Sequence, residues 1–166
     1  MSFQLWGIYM FSVFDLDGTV ICSEHRKATL PDGSLDLDHW IENNTPEKIL
    51  ADSLLPMAKM MQNSWKRGDT VIICTARVLQ DSDFYFFMLN DLQFHHVLSR
   101  PQGCSMADEE LKDIQLRMFA HDRNMSWRQF CVESVVFDDN LSVLTRLKSI
   151  GMDVVDASQM NKALAA

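Results

Sequence analysis

Along this chain, short apolar runs alternate with longer stretches in which apolar side chains recur at helical spacing. Ile8 to Leu16, Thr70 to Cys74, His95 to Leu98 and Ser134 to Phe137 are near-continuous apolar runs with polar flanks, the pattern of strands buried on both faces. Leu54 to Lys66, Asp81 to Leu92, Asp108 to His121 and Leu141 to Ser149 carry the helical pattern, the first of them ending near Gly68. Two short helices are predicted ahead of these, Asp38 to Glu42 and Pro46 to Asp52, the second with Thr45 as N-cap and Pro46 at its first position. Asp153 to Val155 reads as a last strand before a terminal helix. The polar stretch after the first strand, through the turn signal Pro31-Asp32-Gly33, predicts a loop or flap. Strands alternating with helices imply a parallel sheet with helices on both faces, a three-layer α/β fold of the Rossmann-like kind. Met57, Met60 and Met61, and Phe84, Phe86 and Phe87, fall at helical spacing and are expected to fill its core. His95 and His96, at the start of a strand, are expected to be structural.

In open α/β sheets ligands bind beyond the carboxyl ends of the strands, and that is where the polar residues of this chain gather. The first apolar run leads into Asp15-Leu16-Asp17-Gly18-Thr19. Side chains two apart in an extended chain face the same way, so Asp15 and Asp17 converge on one reacting group if strand geometry persists through them. Gly18 permits a sharp turn, and Thr19 adds a hydroxyl donor. One carboxylate of such a pair can attack or hold a metal, and the other can give and take protons. The second run leads into Thr75-Ala76-Arg77, a hydroxyl and a guanidinium suited to phosphate oxygens. Lys112 adds a cation on a predicted helix, and the third motif strand ends in Asp138-Asp139-Asn140, a hard oxygen cluster of the kind Mg²⁺ prefers. A phosphoryl group in transfer carries negative charge on its equatorial oxygens, and attack by a carboxylate is repelled unless cations neutralise it.

Taken in chain order, these four segments resemble the four motifs of the haloacid dehalogenase-like (HAD) phosphatase superfamily. The resemblance implies that Asp15 is the nucleophile, forming an aspartyl-phosphate, and that Asp17 is the general acid and later the base that activates water. It implies Mg²⁺ between the Asp15 carboxylate, the main-chain carbonyl of Asp17 and the Asp138 carboxylate, with Asp139 in or near that shell. Thr75 and Lys112 would hold the transferring phosphoryl, with Gly18 and Thr19 beside it. Further marks are His25-Arg26, Ser99-Arg100-Pro101, Asp108 ahead of Lys112, and the Phe-Asp-Asp-Asn ending at Asn140. These resemble the 3′-phosphatase domain of bacteriophage polynucleotide kinase/phosphatase, which implies a nucleic-acid 3′-phosphate end as substrate and Arg26, Arg77 and Arg100 as its contacts. No GxxxxGK[ST] loop is present, so only phosphatase chemistry is expected. Two other readings use the same residues: a soluble nucleotide 5′- or 3′-monophosphatase, with specificity set by flap and loops, and a non-catalytic HAD-fold binding protein. Against the last stands the fact that every catalytic position is filled.

Composition narrows the picture further. With 166 residues and 47% hydrophobic content, one domain over 1–166 is expected, with about 21–50 as flap and minimal cap. So small a cap leaves the site open, which implies a macromolecular substrate or a partner, a second copy or another protein, that completes the pocket. A net charge of −8 and a pI near 4.9 argue against extended binding to nucleic-acid backbone, so any such contact is local. Cys22, Cys74, Cys104 and Cys131 are widely spaced and read as reduced thiols of a cytoplasmic protein, not as metal ligands. Phe3 to Phe14 lacks the basic start and cleavage site of a leader and reads as a core strand, with Met10 an alternative start and no membrane anchor expected.

Overall fold

A computed structural model describes residues 10–166, so the expectations for Ser2 to Tyr9 lie outside the described residues. In chain order the elements are β1 (Phe11–Phe14), β2 (Ile21–Cys22), α1 (Leu37–Glu42), α2 (Pro46–Leu50), β3 (Ser53–Leu54), α3 (Met57–Arg67), β4 (Thr70–Cys74) and α4 (Asp81–Leu89). They continue with β5 (His96–Leu98), α5 (Asp108–Asp122), α6 (Trp127–Val132), β6 (Ser134–Asp138), α7 (Leu141–Ser149), β7 (Asp153–Asp156) and α8 (Ala157–Ala165). Among the described residues, five strands form one parallel sheet in the order β5-β4-β1-β6-β7, and β2 and β3 form a separate antiparallel pair. The three-layer α/β expectation is borne out. β1 is central, with Phe14 level with Ile73 of β4 on one side and Phe137 of β6 on the other. That register brings the carboxyl ends of the three motif strands side by side.

Alternation along the strands divides the core between the two faces. Phe14 of β1, Val71 and Ile73 of β4, and Val135 and Phe137 of β6 pack on one face with Met57 and Met61 of α3, Phe86 and Phe87 of α4, and Ala157 of α8. Phe11, Val13, Ile72, Cys74 and Val136 pack on the other with Leu116 and Phe119 of α5, Phe130 of α6, and Val143 and Leu147 of α7. Both faces are buried, which is why these strands read as unbroken apolar runs instead of alternating ones. Phe14 and Phe137 stack at 4.7 Å between ring centroids across adjacent strands just before the site begins. Met57 and Met61 fill the core as expected, whereas Phe84 is 42% exposed on the outer side of α4. His95 stacks on Trp65, and its Nδ1 accepts from the Val71 backbone N–H, a structural role. No helix among the described residues is long and apolar enough to cross a membrane.

Several boundaries differ from the sequence expectation. β1 ends at Phe14, so Asp15 and Asp17 leave the sheet on a turn and not on extended strand. Leu54 pairs with Ile21 in the flap instead of opening α3, which starts after Pro56. β2, β3 and α6 are too short to carry a readable period, and each forms because its neighbours supply the packing. The segments on either side of the flap are tied together through Asn161 of α8. Its Oδ1 accepts from the Met57 N–H at the start of α3, and its Nδ2 donates to the Thr19 carbonyl, both at 2.9 Å.

Asn161→Ala therefore leaves a helix-start N–H and a site carbonyl unpaired in the interior. The expected cost is about 1–3 kcal/mol in chemical denaturation. An unchanged midpoint would show that Asn161 does not bridge the two segments.

Candidate active site

The turn after β1 is wound on one carbonyl: the N–H groups of Thr19, Val20 and Ile21 all point to Leu16 O, at 2.9 to 3.0 Å. This requires Gly18 at φ +79°, and a Cβ there would run into the Asp139 carboxylate. Glycine is thus demanded twice, by backbone angle and by the closeness of an acid from another motif. The same turn presents Asp15 and Asp17 in different surroundings.

Asp15 belongs to a buried cluster. Lys112 Nζ, 3% exposed, donates to Asp15 Oδ1 at 2.9 Å and to Asp138 Oδ2 at 2.5 Å, so α5 is ionically bound to the ends of β1 and β6. The Thr19 hydroxyl donates to the other Asp15 oxygen at 3.3 Å, and the Asn140 N–H donates to Asp138 Oδ1 at 3.0 Å. Asp15, Asp138 and Asp139 each offer one oxygen, and these lie within 4.8 Å of one another. Lys112 bonds two of these three carboxylates while Lys27 acts on Asp139 without bonding it, so negative charge is in excess. Burial alone would lower the Lys112 pKa, but Asp15 and Asp138 more than offset it and hold the ammonium protonated far above its ordinary range. Burial, and then the charge of Asp15, pushes Asp138 up to about 7 and Asp139 up to about 6. Thr75 is buried at the exit of β4, and its hydroxyl accepts from the Arg77 N–H.

Asp17 lies on the other side of the turn, between two guanidiniums. Arg77 Nε is 3.0 Å from Asp17 Oδ2, an ion pair whose N–H is not aligned as a hydrogen bond, and Arg26 Nη2 is 4.0 Å from Oδ1. Each arginine has its own buried acid. Arg77 Nη1 donates to Asp83 at 2.6 Å, while Arg26 spans both oxygens of Asp52 at 2.9 and 2.6 Å, donates to Asn44 Oδ1 and lies over the Trp40 ring.

These contacts correct two sequence expectations. Arg26 is expected as a contact to the substrate phosphate; its side chain is fully buried and its guanidinium is engaged by Asp52 and Asn44. Arg100 was expected at the substrate. Its Nε donates to Ala76 O, its Nη1 to Cys104 O and Met106 O, and its Nη2 to Asp108, so the guanidinium is spent on closing the loop ahead of α5. Asp108, ahead of Lys112, is thus a loop anchor. Asp52 and Asp83 escaped the sequence reading. Asp83 had a signal in its spacing from Gln80, the reciprocal capping pair at the start of α4, but nothing local announces its bond to Arg77. Lys27 also went unassigned: it bonds Glu24 at 2.8 Å and feels both Asp17 and Asp139. Burial would lower its pKa, but Glu24 first, then Asp17 and Asp139, raise it.

Residues 3–166 match the family described as Bacteriophage T5 5′-deoxynucleotidase. A 5′-deoxynucleotidase of Escherichia phage T5 is 28% identical over 175 residues, covering 92% of this chain and 69% of that protein. Among solved structures, a haloacid dehalogenase-like hydrolase from Streptococcus pneumoniae superposes with a TM-score of 0.63 at 10% identity, over 88% of this chain and 83% of that one. A HAD-superfamily hydrolase of subfamily IA from Geobacter sulfurreducens gives 0.59 at 11% identity, over 97% and 99%. A chain of the Pnkp1/Rnl/Hen1 RNA repair complex gives 0.56 at 15% identity, over 93% of this chain and 44% of that one. At these identities the structures share the fold, while the sequence match runs through all four motif segments. The chain belongs to the bacteriophage T5 5′-deoxynucleotidase family, is a phosphoric monoester hydrolase, and shares the fold of HAD-superfamily hydrolases.

Proposed function

We propose that this protein removes the phosphate from deoxynucleoside 5′-monophosphates, as a single catalytic domain in which residues of about 21–50 form the flap over an open site. The observation that carries this reading is the buried Asp15–Lys112–Asp138 cluster at adjacent strand ends in a chain that matches a 5′-deoxynucleotidase family over residues 3–166. The nucleotide reading thus gains support that the nucleic-acid 3′-end reading lacks, since the likeness to the RNA repair complex is one of fold.

The residues fit a hard divalent cation such as Mg²⁺. Three carboxylate oxygens lie within 4.8 Å of one another, and among the described residues Lys112 is the cation bonded into the cluster. Asp15, Asp138 and the main-chain carbonyl of Asp17 would hold the ion, with Asp139 beside it. When bound, it neutralises charge on the phosphoryl oxygens. The chain does the rest. The Asp15 carboxylate attacks phosphorus while Lys112 and Thr75 hold the equatorial oxygens, with Gly18 and Thr19 lining the pocket. The bond from phosphorus to the 5′-oxygen breaks, and that oxygen takes a proton from Asp17. Water then gives its proton to Asp17 and attacks the phospho-aspartate, whose bond to Asp15 breaks to release inorganic phosphate. Arg77, with Nη2 buried and unbonded beside Asp17, supplies a donor toward the substrate.

A panel with Mg²⁺ tests the substrate. Deoxynucleoside 5′-monophosphates should turn over well and 3′-phosphorylated oligonucleotides poorly, and Asp15→Asn should lose more than about a hundredfold, since an amide is a poor nucleophile. Preference for the oligonucleotide would replace this reading with the 3′-phosphatase one.

The acid cluster also predicts a pH dependence. Asp138 and Asp139 titrate in the folded protein at about 7 and about 6, above the ordinary carboxylate value of roughly 4. The folded state therefore binds protons more tightly than the unfolded one. The resulting stability is fully present below the unfolded value and is lost as pH rises through about 6 to 7. Lys112 stays charged throughout. Metal-free protein should melt higher at about pH 5.5 than at about pH 8; a fall on acidification over that window would contradict the cluster's strain.

A further inference from the structure

Three arginines stand near the turn and the loops around it, and they differ in how far the protein satisfies them. The guanidiniums of Arg26 and Arg100 are bonded through Nε, Nη1 and Nη2, as expected of clamps that fix loops. Arg77 is only 7% exposed, yet of its side-chain nitrogens only Nη1 makes a hydrogen bond among the described residues, to Asp83 at 2.6 Å. Its Nε and Nη2 are buried without hydrogen-bond partners among the described residues, and Nε faces Asp17 Oδ2 at 3.0 Å. Asp17 Oδ1 is likewise buried and unbonded. A purely structural arginine is not left in this state, because an unmade bond in the interior costs about 1–3 kcal/mol. Arg77 is gripped at one end and left open toward Asp17 at the other.

The grip is Asp83. It is 1% exposed, and while Oδ1 accepts from Arg77, Oδ2 accepts from the Gln80 N–H at 2.8 Å, so the carboxylate is anchored to the first turn of α4. Helix capping uses only one of its oxygens. Burial pushes this carboxyl up and Arg77 opposes the rise, so the pair is kept at a cost that capping alone does not require. We propose that Asp83 is a positioning residue: acting through Arg77, it fixes the direction in which the Asp17 carboxylate meets the leaving oxygen of the substrate. The inference rests on the reading of Asp17 as proton donor to that oxygen. Asp83 touches no substrate and does no chemistry, and its effect is confined to steps that need the Asp17 proton.

The test is dependence on the leaving group, read as kcat/KM so that the later hydrolysis of phospho-aspartate does not enter. A deoxynucleoside alkoxide needs a proton to depart, whereas p-nitrophenolate leaves without one. Asp83→Asn keeps the shape of the side chain but removes the charge that grips Arg77. It should lower kcat/KM on deoxythymidine 5′-monophosphate by about tenfold or more and change it by less than about twofold on p-nitrophenyl phosphate. Asp83→Ser keeps a hydroxyl to accept from the Gln80 N–H but has no charge to grip Arg77; it should show the same selective loss and stands in if Asp83→Asn melts too low to assay. Equal loss on both substrates, or no loss on either, overturns the inference. Asp17→Asn run alongside separates the two levels: selective loss there with none in the Asp83 variants sinks the positioning role alone. Unselective loss in Asp17→Asn overturns the reading of Asp17, and the inference with it.

Discussion

Lys112 places one buried ammonium 2.9 Å from Asp15 and 2.5 Å from Asp138, and the layout of the site follows from that contact. The two acids end adjacent strands, so without a cation between them the carboxyl ends of β1 and β6 would repel each other in a low dielectric. Lys112 reaches them because α5 packs on one face of the sheet through Leu116 and Phe119, and because Arg100 closes the loop that leads into it. Removing the ammonium leaves uncompensated buried charge, at a cost of about 3–5 kcal/mol. Yet the cluster stays short of positive charge: burial first, and then the charge of Asp15, holds the protons of Asp138 and Asp139 well above the usual range. Under the function proposed above, that excess of negative charge is what a divalent cation would answer.

The arginines obey a second rule. In an acidic chain of net charge −8, those around the site are drawn inward and paired: Arg26 with Asp52, Arg77 with Asp83, Arg100 with Asp108. Positive charge is thereby kept at a few fixed points instead of being spread over a surface that could track a polynucleotide backbone. Arg77 alone among these three keeps buried nitrogens unbonded, on the side of Asp17. A small monoester, recognised by a compact set of groups, suits this arrangement better than a long charged strand.

How much of this the sequence carried depended on whether the information was local. The sheet was legible because both its faces are buried, so β1, β4 and β6 announce themselves as apolar runs and their polar exits stand out. Asp15, Thr75 and Asp138 stood out for the same reason, whereas Lys112 lies inside α5 and was picked out only by its order among the motifs. The two-residue strands of the flap and the short α6 have no period to read. Arg26 and Arg100 looked like exposed cations because their acids lie elsewhere in the fold: Asp52 closes the flap from another element, and the carbonyls that hold Arg100 belong to a loop without a sequence signature. Extended geometry through Asp17 also failed: β1 ends at Phe14 and the chain then winds on the Leu16 carbonyl, a turn that Gly18 completes at φ +79°. What a residue is could be read from the chain, but what it pairs with is decided by tertiary packing.

If Lys112 and a divalent cation share the neutralisation of the same three carboxylates, removing the first should increase the demand for the second. The direct measurement is the thermal midpoint of wild type and of Lys112→Met, each with Mg²⁺ and with chelator. The variant should be strongly destabilised in chelator and recover part of the loss with Mg²⁺, its Mg²⁺-induced rise exceeding that of the wild type. A rise equal to or smaller than the wild-type value would mean that the ammonium and the metal do not answer to the same charge, and would contradict this account of the site.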